Sequence, residues 1–400
     1  MNYIQTSKFL NNSISVRTIL PFDFKRITML NLLVLMMQMK TEKFPSKNQI
    51  AIRFGQLYSF RYSAHLTGIG NQVLLDQRFQ YLQNRALPHH IDSDHWIEII
   101  DQFLFHVLME TESFEEAKFL LRDRLCQLQD DPETSAMSLC FSLLSPTHTV
   151  SHPLHGSLED FEHIKFEDCV SFLHQIQSAP KKIYICGQVD SQILSYFSKI
   201  EEFDKLSRTS NLYKEGTDTT TKVFKPRSQS ILSLAYSTGI DVDSDDYMAE
   251  VLAVSILGQC TNNLLFRSIR EQNSLCYSVY ASLIHFDGIM TIQVGTSREH
   301  IDRVMELIDE QMDVLVKGIF PSELLECAKK EWVDSIRFQQ DDPFGLINKA
   351  FREELLKDAL SDLSRITLIN ALSKDQISHA ASKFKRCAVA IVEGTLNEES

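Results

Sequence analysis

Residues 265–278 read LFRSIREQNSLCYS, and the periodicity of the chain changes from helical to extended within them. The apolar spacing predicts a helix that ends near Glu271 and a strand that begins near Leu275. Arg270 and Tyr277 are seven residues apart across this junction, so both side chains can face one groove. A guanidinium and a phenol are donors suited to a peptide carbonyl or a developing oxyanion. The alternative, which the spacing alone favours, is a surface arginine paired with a glutamate and a half-buried strand tyrosine.

Around this junction, the two halves of the chain show the same order of predicted elements. In the first half the patterns predict a strand at 14–20, helices at 29–39, 94–129 and 167–177, and a strand at 183–186. In the second half they predict a strand at 231–236, a helix at 245–257, a hairpin of 277–283 and 289–294, helices at 298–317 and after Ser322, a helix with the capping box Ser373–Gln376, and a strand at 388–392. A shift of 207 residues aligns Asp168 with Asp375 and Gly187 with Gly394 without a gap. The sequence therefore predicts an α+β fold with two copies of one domain in tandem.

The predicted domain boundary lies in residues 204–229, where the periodicity is lost. This segment is rich in Ser, Thr, Lys and Asp and contains Gly216 and Pro226, which is typical of a linker. We therefore expect an N-terminal domain at 1–203 and a C-terminal domain at 230–400. A chain of 400 residues is also long enough for two ordinary domains.

Composition and charge exclude several classes of function. The net charge of −13 disfavours nucleic acid and anionic lipid as main partners, because both carry negative charge. The eight cysteines are scattered, which is typical of reduced residues rather than of a disulfide framework. The most apolar run, Met29–Met39, is too short for a membrane helix and lacks the flanks of a signal peptide. We interpret it as a buried helix and expect a cytoplasmic protein.

Motifs for metal binding and nucleophilic catalysis are weak. The sequence contains no H-x-x-E-H, G-x-S-x-G or phosphate-binding loop. One dense polar cluster favours a solvated loop over a metal site: His89, His90, Asp92, Asp94 and His95. Three further histidines near prolines are interpreted as loop residues: His148, His152 and His155. An enzyme that uses the cluster at 89–95 stays open as an alternative.

Three segments resemble the insulinase/pitrilysin-like zinc metallopeptidase family. The stretch LFRSIREQNSLCYSVYASL, followed by Asp-Gly, resembles the motif L-F-x-x-[VLI]-R-E-x-x-x-L-x-Y-S-[VI] of its C-terminal domain. Residues 152–190 resemble the end of its first domain, and residues 40–46 the segment after its zinc helix. The resemblance implies two mitochondrial-processing-peptidase-like α/β-sandwich domains. It also implies that Arg270 and Tyr277 contact the substrate near the scissile bond.

The sequence departs from this family at the zinc motif. The family has H-x-x-E-H ten residues before the segment Thr41 to Pro45. Here Asn31 replaces the first histidine, Val34 the glutamate and Leu35 the second histidine. The position of the family's third ligand matches Glu112, Glu115 or Glu116. A lone carboxylate binds zinc weakly, and no base is left to activate water. The resemblance therefore implies an inactive member with no metal or other cofactor.

Several short bacterial members of this family work as heterodimers, in which one subunit carries the zinc motif and the other supplies the arginine and the tyrosine. The resemblance thus implies a zinc-motif-bearing partner and a peptide or protein substrate. In length the chain is most similar to the YfmF-type members of Gram-positive bacteria, which are associated with 5-aminopentanol modification of elongation factor P. Two alternatives stay open: a subunit of a bacteriocin-processing pair, and a peptide-binding or scaffolding protein without a proteolytic role.

Overall fold

A computed structural model of the chain describes residues 1–202, 206–214, 218–357 and 360–395. Its strands are β1 (Asn2–Gln5), β2 (Asn11–Pro21), β3 (Arg61–Ile69), β4 (Gln72–Leu82), β5 (Lys181–Gly187), β6 (Thr219–Lys225), β7 (Ser230–Ser237), β8 (Cys276–Ile284), β9 (Ile289–Thr296) and β10 (Lys385–Gly394). Its α-helices are α1 (Ile27–Met36), α2 (Lys47–Gln56), α3 (Ser93–Phe105), α4 (Thr111–Asp130), α5 (Pro132–Ser142), α6 (Leu158–Phe161), α7 (Phe166–Ser178), α8 (Ser191–Ile200), α9 (Tyr247–Val254), α10 (Ile301–Val316), α11 (Ser322–Phe338), α12 (Pro343–Leu355), α13 (Asp362–Ala371) and α14 (Lys374–Ala381).

The chain divides into two compact units, each with its own five-stranded sheet. Unit 1 comprises residues 1–127, 154–208 and 339–355, and unit 2 comprises residues 128–153, 209–338 and 356–400. The strand order is β1-β5-β2-β4-β3 in unit 1 and β6-β10-β7-β9-β8 in unit 2. In both sheets the first pair is parallel and every other pair is antiparallel. The predicted α+β fold with two copies of one domain is confirmed, because the two sheets share strand order and strand sense.

Each unit contains one helical segment from the other half of the sequence. Helix α5, from the first half, packs on β7 and β10 of unit 2. Helix α12, from the second half, packs on β5 and β2 of unit 1. The predicted domains at 1–203 and 230–400 are sequential, whereas the compact units exchange these two segments.

In unit 2, the sheet is covered on both faces. On one face the side chains of Leu232, Ile292 and Val294 join a core with residues of α9, α10, α11, α13 and α14. On the other face Cys140 of α5 packs with Ala235 and Ala388. The strand β8 lies at the edge of this sheet, so the residues on its two sides meet different environments.

In unit 1, α12 is joined to the sheet by polar and aromatic contacts. The Tyr184 hydroxyl donates to Glu354 at 3.1 Å, and Lys182 forms an ion pair with the same carboxylate at 3.1 Å. The guanidinium carbon of Arg17 lies 4.4 Å from the centroid of the Phe351 ring. These contacts fix the helix on strands that come from the opposite half of the sequence.

The segment predicted as a linker contains a strand. Strand β6 lies inside 204–229 and pairs in parallel with β10, while residues 204–205 and 215–217 of the predicted linker lie outside the described residues. Its seven residues alternate between half-buried and exposed, because β6 is an edge strand with little apolar burial. A polar edge strand of this kind has the composition of a loop, which is why the sequence pattern missed it.

The apolar run of the first half forms the buried helix α1, as predicted. The predicted capping box is also present, since Ser373 accepts from the Gln376 backbone and the Gln376 side chain accepts from the Ser373 backbone. Across the described ranges, no helix combines the length and the apolar character needed to span a lipid bilayer.

Helix α9 carries a buried acid with consequences for pH dependence. Glu250 is 1% exposed, and its Oε1 atom has no hydrogen-bond partner. Burial raises the pKa of this carboxyl group to about 8, so it is protonated in the folded state at neutral pH. The unfolded chain releases this proton near pH 4.5, and the stability of unit 2 therefore falls as the pH rises from 4.5 to 8.

Substituting Glu250 by glutamine is expected to remove this pH dependence, because the amide imitates the neutral acid. Between pH 5 and pH 7 the wild-type chain should lose up to about 1.4 kcal/mol of unfolding free energy per pH unit relative to the variant. Urea unfolding at several pH values in a Trp96→Phe background, followed by the fluorescence of Trp332 in unit 2, measures the difference. Parallel pH profiles for the two proteins would contradict a neutral Glu250.

Candidate functional site

Arg270 lies in a π-helical segment, Phe266–Gln272, which is a wide helical form often found at functional sites. Asn263 lies at its start and accepts a hydrogen bond from the Phe266 backbone at 2.8 Å. Arg270 is exposed, and its guanidinium carbon lies 5.3 Å from the centroid of the Phe266 ring, one turn earlier. Among the described residues Arg270 makes no ion pair within 4.0 Å, so the alternative of an arginine–glutamate pair is not realised there.

The connection between this segment and β8 is short and hydrogen-bonded. The Ser274 and Leu275 backbone N–H groups donate to the carbonyls of Arg270, at 3.1 Å, and Ile269, at 2.9 Å. Ser274 has a φ of 54°, in the left-handed region that non-glycine residues seldom adopt. This strained turn sets the direction in which β8 leaves the helix.

Tyr277 occupies a β-bulge at the start of β8. Cys276 pairs with Thr296 and Ser278 pairs with Gly295, so Tyr277 is the extra residue on the bulged strand. Cys276 is buried, whereas Tyr277 is 54% exposed. The bulge therefore turns the phenol away from the core at the point where the strand begins.

A second π-helical segment, Ser255–Gln259, lies against the other end of β8. A Cβ atom on Gly258 would lie 2.6 Å from the Ala281 backbone nitrogen, so only glycine allows this close approach. The strand that carries Tyr277 is thus held by a tight helical contact as well as by its neighbour β9.

Arg270 and Tyr277 flank the same junction. Burial raises the pKa of the Cys276 thiol to about 11, and the positive charge of Arg270 acts on that thiol in the opposite direction. Arg270 is therefore near Cys276, the residue that precedes Tyr277. Two exposed donors next to one rigid turn are suited to binding a peptide carbonyl.

Sequence reasoning did not single out Glu133, which reaches this region from α5. Its Oε1 atom accepts from the Ser278 hydroxyl at 3.2 Å, and its Oε2 atom lies 3.5 Å from the Tyr280 hydroxyl oxygen. Glu133 and Ser278 are 145 positions apart. The local periodicity of a sequence does not indicate contacts between residues so far apart in the chain. The sequence therefore gave no signal for the contact of Glu133 with Ser278.

The degenerate zinc-motif positions lie on α1 and do not fit a zinc ion. The Asn31 amide is 9% exposed and donates to the carbonyls of Ile27, at 2.9 Å, and Leu154, at 2.8 Å. Val34 is buried, and Leu35 packs on the same core. Zinc requires nitrogen, sulfur or carboxylate donors, and neither an amide committed to two carbonyls nor an aliphatic side chain supplies one.

Two of the three glutamates that match the family's third ligand position form ion pairs with lysines. Lys40 lies 2.8 Å from Glu112 and 2.6 Å from Glu110, and these carboxylates raise the lysine pKa to about 12. Glu116 pairs with Lys47, and Glu115 is exposed. Within the described part of the chain, no three His, Cys, Asp or Glu side chains are arranged to bind a metal ion.

The histidines interpreted as loop residues make local contacts. His148 and His152 contact the carbonyls of Asn211, at 2.7 Å, and Pro146, at 2.9 Å, through their Nε2 atoms. Burial lowers the pKa of His155, so this ring favours the neutral form. His95 lies in the first turn of α3 and contacts Arg53 at 3.1 Å. These contacts do not bring the histidines together around one point.

Comparison with known proteins matched one segment of the chain to a family model of a peptidase domain. Residues 181–331, which contain Arg270 and Tyr277, match the family model described as "Peptidase M16 inactive domain". The match covers the junction from which the sequence resemblance started.

Relatives and solved structures agree with an M16-like chain. An "Uncharacterized zinc protease YmxG" from Bacillus subtilis (strain 168) is 19% identical over 324 residues, or 79% of this chain and 78% of that protein. A conserved protein from Enterococcus faecalis V583 has a TM-score of 0.89 at 19% identity, over 99% of this chain and 96% of the other. A peptidase M16 inactive domain protein from Pseudomonas fluorescens has a TM-score of 0.80 at 16% identity, over 100% and 96%.

These comparisons establish the M16-like two-domain fold for the whole chain. The family match over residues 181–331 is to a domain that is described as inactive.

Proposed function

We propose that this M16-like chain is the non-catalytic subunit of a heterodimeric zinc peptidase in the cytoplasm. In this complex a partner subunit carries the zinc motif, and this chain supplies Arg270 and Tyr277 to bind the peptide substrate. The observation that carries the proposal is the pair of exposed donors at one rigid junction of a matched M16 inactive domain. The chain's own α1 lacks zinc donors, so catalysis requires a second protein.

The two side chains have distinct tasks in this proposal. The guanidinium of Arg270 donates hydrogen bonds to the carbonyl group that is attacked and stabilises the negative charge that develops on its oxygen. The hydroxyl of Tyr277 donates to a neighbouring carbonyl and fixes the position of the peptide backbone. The bulge and the left-handed Ser274 hold both groups in place before the substrate binds.

A finer proposal concerns the cellular task. The resemblance to YfmF-type members favours a complex that acts in 5-aminopentanol modification of elongation factor P. A bacteriocin-processing pair uses the same two-subunit chemistry, and the identity of the partner and of its substrate separates the two.

An affinity purification of the tagged chain from its own cytoplasm tests this proposal. We expect one near-stoichiometric partner that contains an intact H-x-x-E-H, and a peptidase activity that requires both proteins. A partner without this motif, such as a translation factor or a modifying enzyme, would favour a scaffolding role and contradict the split peptidase.

A further inference from the structure

The side of β8 that faces α5 presents the ring of Tyr280 next to Glu133. The side chains of Val279 and Ala281 belong to the core, whereas Ser278 and Tyr280 point to the side from which Glu133 reaches the strand. Tyr277 is 54% exposed and Tyr280 is 38% exposed. The part of β8 that follows the proposed substrate-binding tyrosine therefore places a phenol ring beside a carboxylate.

Glu133 is fixed in this position by its surroundings. It lies in the first turn of α5, where Asp131 caps the helix by accepting from the Thr134 backbone at 2.7 Å. The buried amide of Gln293 donates to the Glu133 carbonyl and to Ser233 on β7, and the Tyr280 hydroxyl donates to the same Gln293 side chain. The carboxylate is thus attached to the sheet through both its side chain and its backbone.

The carboxylates of Glu133 and Asp131 have no cationic partner in the described ranges of the chain. Neither Glu133 nor Asp131 lies within 4.0 Å of a described lysine or arginine nitrogen. Burial and then the charges of Glu133 and Asp131 raise the pKa of Tyr280 to about 12, so its ring stays a neutral phenol. A neutral phenol ring beside an unneutralised carboxylate attracts a cation through cation–π and charge interactions.

We propose that Glu133, with the partly exposed ring of Tyr280, selects a positively charged side chain of the bound peptide. Glu133 is then a specificity-determining residue, and the preferred substrates are peptides with a lysine or arginine next to the carbonyl held by Arg270. This inference rests on the proposed function, because Glu133 contacts Ser278, the residue that follows Tyr277. An acidic side chain at this position of the peptide is disfavoured by the two carboxylates.

The test uses the full chain and two fluorescein-labelled undecapeptides that differ only in a central lysine or norleucine. Norleucine keeps the four-carbon chain and lacks the charge, so the ratio of the two dissociation constants isolates the effect of the ammonium group. In fluorescence anisotropy we expect the lysine peptide to bind about fivefold more tightly at 50 mM salt, with a smaller ratio at 300 mM.

The substitution Glu133→Gln is expected to reduce this ratio to about 1, because glutamine keeps the size and the acceptor oxygen but removes the charge. A matched control is Glu323→Gln, which removes the same charge from an exposed position on α11, a helix on the opposite face of the sheet. This control should keep the wild-type ratio. A ratio near 1 in the wild-type chain, or an unchanged ratio in Glu133→Gln, would overturn the subsite.

The outcomes of the binding experiment also distinguish a failure of this inference from a failure of the proposed function. Arg270→Ala should weaken both peptides by a similar factor and leave their ratio in place. If neither peptide binds the wild-type chain, the peptide-binding function fails together with the subsite. If both bind with equal affinity, the function stands and the role of Glu133 is excluded.

Discussion

Replacing Arg270 by alanine is expected to lower kcat/KM of the reconstituted heterodimer by a factor of about 10² to 10³. A charged donor that stabilises a developing oxyanion has an effect of this size when it is removed. The guanidinium lies on the exposed side of its π-helical segment beside Phe266, so truncation leaves the core of unit 2 intact. Cleavage of a quenched fluorescent peptide by the purified pair measures the loss.

The control for this experiment is Arg303→Ala on α10. Arg303 is exposed and pairs only with its helix neighbours Glu306 and Glu310 among the described residues, so its removal should leave turnover unchanged. Size-exclusion chromatography of both variants with the partner shows whether assembly is intact. Full activity of an assembled Arg270→Ala complex would exclude the proposed role of this residue.

The largest effect on stability is expected from Asp76→Ala in unit 1, a loss of about 3–5 kcal/mol of unfolding free energy. The side chains of Arg17 and Asp76 are 1% and 2% exposed and lie 3.4 Å apart. Arg17 also donates to Ser15 at 2.9 Å, and Asp76 accepts from Arg78 at 2.8 Å. Burial already lowers the pKa of Arg17, and removing the carboxylate leaves its charge uncompensated in the interior.

Each unit contains one of the two tryptophans, so the effect of Asp76→Ala can be measured in unit 1 alone. Trp96 is buried in unit 1 and Trp332 lies on α11 of unit 2, so urea unfolding in a Trp332→Phe background reports on unit 1. Glu115→Ala, an exposed position on α4, serves as the control and should change the free energy by less than about 0.5 kcal/mol. A loss below about 1 kcal/mol in Asp76→Ala would show that the buried pair is not required.

The sequence predicted most of what depends on local pattern. Apolar periodicity identified the buried helix α1 and the hairpin of β8 and β9, and a capping box identified the start of α14. The repeated order of elements predicted two copies of one domain, which the matching strand orders confirm. For the candidate site, the change of periodicity after Glu271 placed Arg270 and Tyr277 on either side of one junction.

Features that depend on contacts between distant residues or on the backbone conformation of single residues could not be predicted from local sequence pattern. The bulge at Tyr277 and the left-handed Ser274 change single residues and leave the apolar pattern nearly intact. The contact of Glu133 with Ser278 joins segments that no periodicity relates. Strand β6 buries too little apolar surface to differ from a loop in composition.

The exchange of α5 and α12 between the units has a consequence for synthesis on the ribosome. All five strands of the first sheet have been made once residue 187 is complete, yet the helix that covers β5 and β2 ends at Leu355. Domains that fold during translation do so when their last required segment emerges. The N-terminal sheet therefore lacks the helix that covers β5 and β2 until most of the C-terminal half has been translated.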